Sequence, residues 1–92
     1  MNEIIGNLCK STCGRDNEKI YLIYSASPTE VCLVDGNARK IKNPKKKNIK
    51  HIKLLEAKSL AIQEKIAGNL KVFDSEIYSF IKNFKKWLKF LK

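Results

Sequence analysis

Lys19-Ile20-Tyr21-Leu22-Ile23-Tyr24-Ser25 is the stretch from which the fold follows. Ile20, Tyr21, Ile23 and Tyr24 are β-branched or aromatic, the side chains that suit a pleated, partly buried surface, so the run predicts a strand over 19–25. Ser27-Pro28-Thr29 then turns the chain, and Glu30-Val31-Cys32-Leu33-Val34-Asp35 predicts a third strand. That strand ends at Asp35-Gly36-Asn37, where Gly and Asn tolerate the positive φ of a tight hairpin. A return strand is expected over 39–42, stopped at Asn43-Pro44 because proline has no N–H to give to a ladder. Before the central run, Ile4, Ile5, Leu8 and Cys9 open a first strand that breaks at Ser11-Thr12-Cys13-Gly14. After it, Ile49, Ile52 and Leu54 make a fifth strand over 48–54. Five short strands predict a small closed β-barrel, since closure removes the edges that so small a sheet would leave exposed.

Beyond Leu55 the pattern turns helical. Ala57, Leu60, Ala61, Glu64 and Ile66 lie near helical spacing, and Gly68-Asn69 supplies a stop, which predicts a helix over 56–68. A second helix is expected over 74–91, with the Asp74 carboxylate as its cap, Glu76 at the positive end of its dipole, and Phe73 and Tyr78 as a hydrophobic staple. Ile77, Phe80, Ile81, Phe84, Trp87, Leu88 and Leu91 form one apolar stripe, while Lys82, Lys85, Lys86 and Lys89 take other faces. The expected organisation is mainly β: a barrel over 1–55 and a helical extension over 56–92.

Charge is distributed unevenly over the 92 residues, whose net charge is +10. Residues 1–38 carry three basic and five acidic side chains, residues 39–53 carry eight basic and none acidic, and residues 54–92 carry eight basic and four acidic. The middle segment, with Arg39, Lys40, Lys42, Lys45, Lys46, Lys47, Lys50, His51 and Lys53, repels itself unless a polyanion lies against it. Clustered cations that neutralise phosphates release condensed counterions, so nucleic acid is the expected partner; the plain alternative is a solvated, solubilising surface. With 43% apolar and 30% charged residues, a packed core is expected beneath the charge.

Cys9 and Cys13 form a Cys-x-x-x-Cys pair that can begin a zinc site with His51, but Cys32 lies in an apolar run where a small buried thiol is the ordinary reading. No metal or other cofactor is expected. Three reduced thiols point to the cytosol, and neither a signal peptide nor a membrane span is evident in the sequence. With one His, set among lysines, no catalytic constellation is recommended by spacing, and a non-enzymatic protein is expected.

The ordered set Gly14-Arg15-Asp16, Val34-Asp35-Gly36, Arg39-Lys40-Ile41 and Lys50-His51-Ile52-Lys53, with Pro44-Lys45-Lys46-Lys47 between, resembles the bacterial KOW-domain RNA-binding proteins. These are similar in turn to the KOW-containing large-subunit ribosomal proteins of archaea and eukaryotes. The resemblance implies an SH3-like barrel and an RNA-contacting loop between its first two strands, covering about residues 4–54. It also implies roles for Gly14 in a turn, Arg15 on phosphate or a guanine edge, and Asp16 in holding Arg15 or the loop amides. Asn17-Glu18 stands where the family has Lys-Gly, so a glycine able to adopt positive φ is missing.

The expected function is therefore RNA binding in the cytoplasm, with large-subunit ribosomal RNA as the partner the resemblance implies and neighbouring ribosomal proteins beside it. Lysines fix position; selectivity falls to Arg15, Arg39 or His51, with Tyr21, Tyr24 or Tyr78 as stacking platforms. The rival reading is a membrane-surface or protein-docking module built on the basic amphipathic last helix. Against it stands simple packing of that helix on the small barrel.

Overall fold

The computed structural model describes residues 2–15 and 17–90. The chain is mainly β, with five antiparallel strands in one sheet followed by two helices. The strands are β1 (Asn7–Ser11), β2 (Ile20–Ala26), β3 (Glu30–Val34), β4 (Lys45–Asn48) and β5 (Ile52–Lys58), in the order β4-β3-β2-β1-β5. Helices α1 (Leu60–Ala67) and α2 (Asp74–Phe90) follow, and short 3-10 turns stand at Asn2–Ile4 and Ile49–His51.

The central strands are covered on both faces, which is why their sequences are almost continuously apolar instead of alternating. Leu8, Leu22 and Val34 face the helices, where they pack with Ile62, Val72, Ile77 and Ile81. Cys9, Tyr21, Ile23, Val31 and Leu33 face the other way, with Ile49 and Ile52 packed against them. A flat sheet of this order would hold its edge strands about 19 Å apart at the usual strand spacing of about 4.8 Å. Only the 3-10 turn Ile49–His51 joins those two edges, β4 and β5, so the sheet curls around the second cluster.

The sheet nevertheless does not close into the expected barrel: β4 and β5 form no ladder with each other. Both edges are cationic, with Lys45, Lys46 and Lys47 on β4 and Lys53 and Lys58 on β5, and like charges set opposite one another disfavour pairing.

The return strand expected over 39–42 is also absent. Asp35 Oδ1 accepts from the Asn37 and Arg39 backbone N–H groups, each at 2.8 Å, and the Asn43 N–H donates to the Lys40 carbonyl at 2.9 Å. Those local bonds satisfy the backbone in turns, and pairing with β3 begins only after Pro44. Gly36 has φ +78° as the turn requires.

The helix expected from residue 56 starts at Leu60. Residues 56–58 extend β5, where Lys58 pairs with Asn7 and the Asn7 side-chain amide donates to the Leu55 carbonyl at 2.8 Å. Ser59 is the true N-cap, its hydroxyl accepting from the Ile62 N–H at 3.2 Å. At the other end the left-handed residue is Asn69 (φ +56°), and the Leu70 N–H returns to the Lys65 carbonyl.

Helix α2 is capped one residue earlier than expected. The Phe73 N–H donates to Glu76 Oε2 at 2.9 Å, the reciprocal half of a capping box, and the apolar pair flanking it is Val72 with Ile77, both buried. Phe73 and Tyr78, expected as the staple, are 54% and 45% exposed. Leu91 lies outside the described residues.

Candidate nucleic-acid interface

The loop 12–19 between β1 and β2 is the centre of the site. Gly14 has φ +85°, and the Asn17 N–H closes a turn onto the Gly14 carbonyl at 3.2 Å. Ser11 is matched by two residues across the strand pair: its carbonyl accepts from the Glu18 N–H at 2.9 Å and its N–H donates to the Lys19 carbonyl at 3.0 Å. This is a bulge whose first residue sits in the left-handed region, a place ordinarily taken by glycine. Glu18 occupies it with φ +74°, so the backbone turn is made without a glycine at this position. The Glu18 carboxylate lies 3.3 Å from Lys10 Nζ in an open ion pair. Arg15 and Gly14 are exposed, while Asp16 lies outside the described residues.

Two basic elements meet one flank of this loop. Lys47 Nζ donates to the Cys13 carbonyl at 2.9 Å, and the Thr12 N–H donates to the His51 carbonyl at 3.0 Å. The end of β4 and the 3-10 turn carrying Lys50 and His51 are thereby brought next to Gly14 and Arg15. Lys53 follows as the cross-strand partner of Lys10. The other flank, Glu18 to Ile20, faces Asp35, Asn37 and Ala38 of the loop 35–44 across a groove. That second loop bears Arg39, Lys40 and Lys42, and it is anchored to α2 by the Ile41 N–H, which donates to Asp74 Oδ1 at 2.8 Å. This long-range bond replaces the capping role expected of Asp74.

The lysine run is not a single outward ribbon. Because β4 is a strand, Lys45 and Lys47, opposite Leu33 and Val31, lie on one face, and Lys46, opposite Cys32, lies on the other. Lys46 is exposed and Lys45 and Lys47 are half-buried. Lys40, Lys42, Lys46, Lys50 and Lys53 form no ion pair among the described residues. The charge is thus arranged as two patches on either flank of the β1–β2 loop.

Of the three tyrosines, only Tyr78 has an open ring. Tyr21 is 4% exposed within the second core cluster, and Tyr24 packs against the first. The cysteines also differ from expectation: Cys9, not Cys32, is the fully buried one, and burial pushes its thiol up to about 12. Among the described residues no three His, Cys, Asp or Glu side chains are grouped so as to hold a metal ion. Missed by sequence reasoning was Lys19, whose place beside Tyr78, Lys82 and Lys85 depends on α2 docking next to the start of β2.

The stripe of α2 divides in two. Ile77 and Ile81 are buried and Phe80 and Phe84 half-buried against the sheet, whereas Trp87 and Leu88 are 53% and 37% exposed, and Phe90, outside the stripe, is 88% exposed. Trp87 stacks on Phe84, ring centroids 6.0 Å apart. No described helix is long and apolar enough to cross a membrane. No family model matches the sequence, and no curated protein matches it.

Proposed function

We propose that the protein binds RNA through the surface centred on the β1–β2 loop, as a KOW-type module, with ribosomal RNA of the large subunit as its target. The observation that carries this reading is the gathering of Arg15, Lys47, Lys50 and His51 about one loop, with Lys46, Lys50 and Lys53 lacking any described carboxylate partner. A protein that leaves such charge uncompensated gains by exchanging condensed counterions on a phosphate backbone for its own cations. The curled five-stranded sheet, and a turn loop set between its first two strands, further support the likeness to KOW domains. Lysines supply register and affinity; Arg15, with its planar fork, is the side chain suited to a bidentate contact.

Binding of a labelled ribosomal RNA fragment, followed by fluorescence anisotropy across a salt series, tests this. With about five phosphates neutralised, log affinity falls against log salt with a slope of about −3.5 to −4.5. An affinity that barely moves with salt, or no binding at physiological ionic strength, overturns the reading. Sedimentation of extract on a sucrose gradient tests the ribosomal assignment, with co-migration with the large subunit as the expected result.

A second reading attaches to the distal half of α2, where Trp87, Leu88 and Phe90 are exposed beside Lys85, Lys86 and Lys89. That combination suits the interface of an anionic membrane. Flotation of the intact protein with anionic and with neutral vesicles decides it.

A further inference from the structure

We infer that the groove between the end of the β1–β2 loop, the loop 35–44 and α2 is a subsite for one unpaired nucleotide of the bound RNA, an inference that rests on the RNA-binding reading above. The cavity measures about 500 Å³, inside the range of about 300–1,000 Å³ typical of small-ligand sites. Its apolar floor is Ile81, 4% exposed, and its wall is the Tyr78 ring, 45% exposed. A partly exposed aromatic ring beside an apolar side chain is what an extruded base stacks on.

The rim is cationic. Lys82 and Lys85 project from the same helix as Tyr78, Lys19 stands across from them on the approach to β2, and all three are exposed. Lys82 Nζ lies over the Tyr78 ring, 6.0 Å from its centroid, so a phosphate that draws Lys82 to itself uncovers the ring for its own base. Two acids also line the groove, but both are engaged. Glu18 pairs with Lys10, and Asp35 Oδ1 accepts two backbone N–H groups. At the mouth, the exposed Asn37 side-chain amide has no hydrogen-bond partner among the described residues, so its donor and acceptor are both open to a base edge.

Arg39, Lys40 and Lys42 follow Asn37 and Ala38 in the same loop. A strand held on Arg39, Lys40 and Lys42 thus lies next to the groove. Duplex RNA, with its bases stacked inward, cannot place a base on Tyr78.

The test uses the full chain and fluorescence anisotropy with a labelled ten-residue oligouridine and a labelled sixteen-base-pair RNA duplex. Tyr78→Ala is expected to weaken single-strand binding about tenfold and to change duplex binding less than about twofold. Tyr78→Phe keeps the ring and should match the unmodified protein on both. Lys85→Glu, on an exposed helical position, serves as a second variant and should weaken the single strand selectively. Lys46→Glu, outside the groove, should weaken both RNAs. If Lys46→Glu weakens both while Tyr78→Ala and Lys85→Glu change neither, the subsite is overturned and RNA binding stands. If the unmodified protein binds neither RNA, both fall. Uridine monophosphate competing as well as the oligonucleotide at equal concentration also overturns the proposal, since the groove would then serve free nucleotides.

Discussion

The Ile41 N–H donates to Asp74 Oδ1 at 2.8 Å, joining the basic loop 35–44 to the first turn of α2 across 33 residues of sequence. The anchored loop is also closely packed, for a Cβ built on Gly36 would overlap the Asp74 carbonyl oxygen and crowd Tyr78. One carboxylate therefore ties the loop that bears Arg39, Lys40 and Lys42 to the helix that lines the groove beside it.

Asp74→Ala is expected to cost about 1–2 kcal/mol, as the loss of a hydrogen bond to a charged acceptor does. For a domain of this size that lowers the melting temperature by about 4–16 °C. Asp74→Asn keeps an acceptor oxygen and should lose less than half as much. Gly36→Ala combines a left-handed φ with a steric overlap and should cost about 2–4 kcal/mol. Calorimetry on the three variants gives the order, and an Asp74→Ala protein as stable as the parent removes the anchoring role.

Glu18→Gly is expected to stabilise the fold. A side chain at φ +74° costs about 1–2 kcal/mol, and the open Lys10–Glu18 pair returns about 0–1 kcal/mol. Glycine's greater freedom in the unfolded chain takes back about 0.5–1 kcal/mol, leaving a small net gain of about 0.5 kcal/mol. The melting temperature should rise by about 2–4 °C. Glu18→Gln, which removes the charge and keeps the strained backbone, should show no rise.

Lys46→Glu and Lys47→Glu should separate binding from stability. Lys46 is exposed on the edge strand, so its reversal should lower RNA affinity and flatten the salt slope by about 0.7–0.9 while leaving the melting temperature within a few degrees. Lys47 holds the Cys13 carbonyl, so its reversal should lower both affinity and melting temperature. Equal thermal effects of the two changes would contradict the face assignment within β4.

Stability should fall in acid through Glu76. Its hydrogen bond from Lys65, 2.5 Å away, with a second from the Phe73 N–H, holds the carboxyl below its ordinary value of 4.5. A depressed folded-state value means that the unfolded chain takes up the proton first. The contribution is therefore complete above the ordinary carboxylate range and is lost as pH falls through the lower folded value. Chemical unfolding from pH 6 down to pH 2.5 should show a decline that Glu76→Gln makes shallower, and parallel curves for the two proteins would count against the bridge between α1 and α2.

The strands over 19–25 and 30–35 were legible because β-branched and aromatic runs admit few other structures, and the Asp35-Gly36 turn was legible because positive φ selects glycine. The return strand at 39–42 was misplaced because Asp35 offered the backbone local partners that sequence spacing does not reveal. Likewise Glu56 to Lys58 suits a helix by composition, yet the edge of β1 provided ladder partners, and Ser59 rather than Glu56 marked the start. The cap of α2 went to Glu76 because Asp74 was drawn to a distant amide. Lys19 entered the candidate site only through the docking of α2.

Sequence by itself determined the mainly β character, the two helices, and a cationic middle segment without acids, because these depend on local side-chain chemistry and composition. Tertiary structure alone decided which way each lysine points, that the sheet curls without closing, and that Tyr78 rather than Tyr21 is open to a ligand. The reason is physical: strand register assigns faces two residues at a time, and register is set by partners far away in the chain.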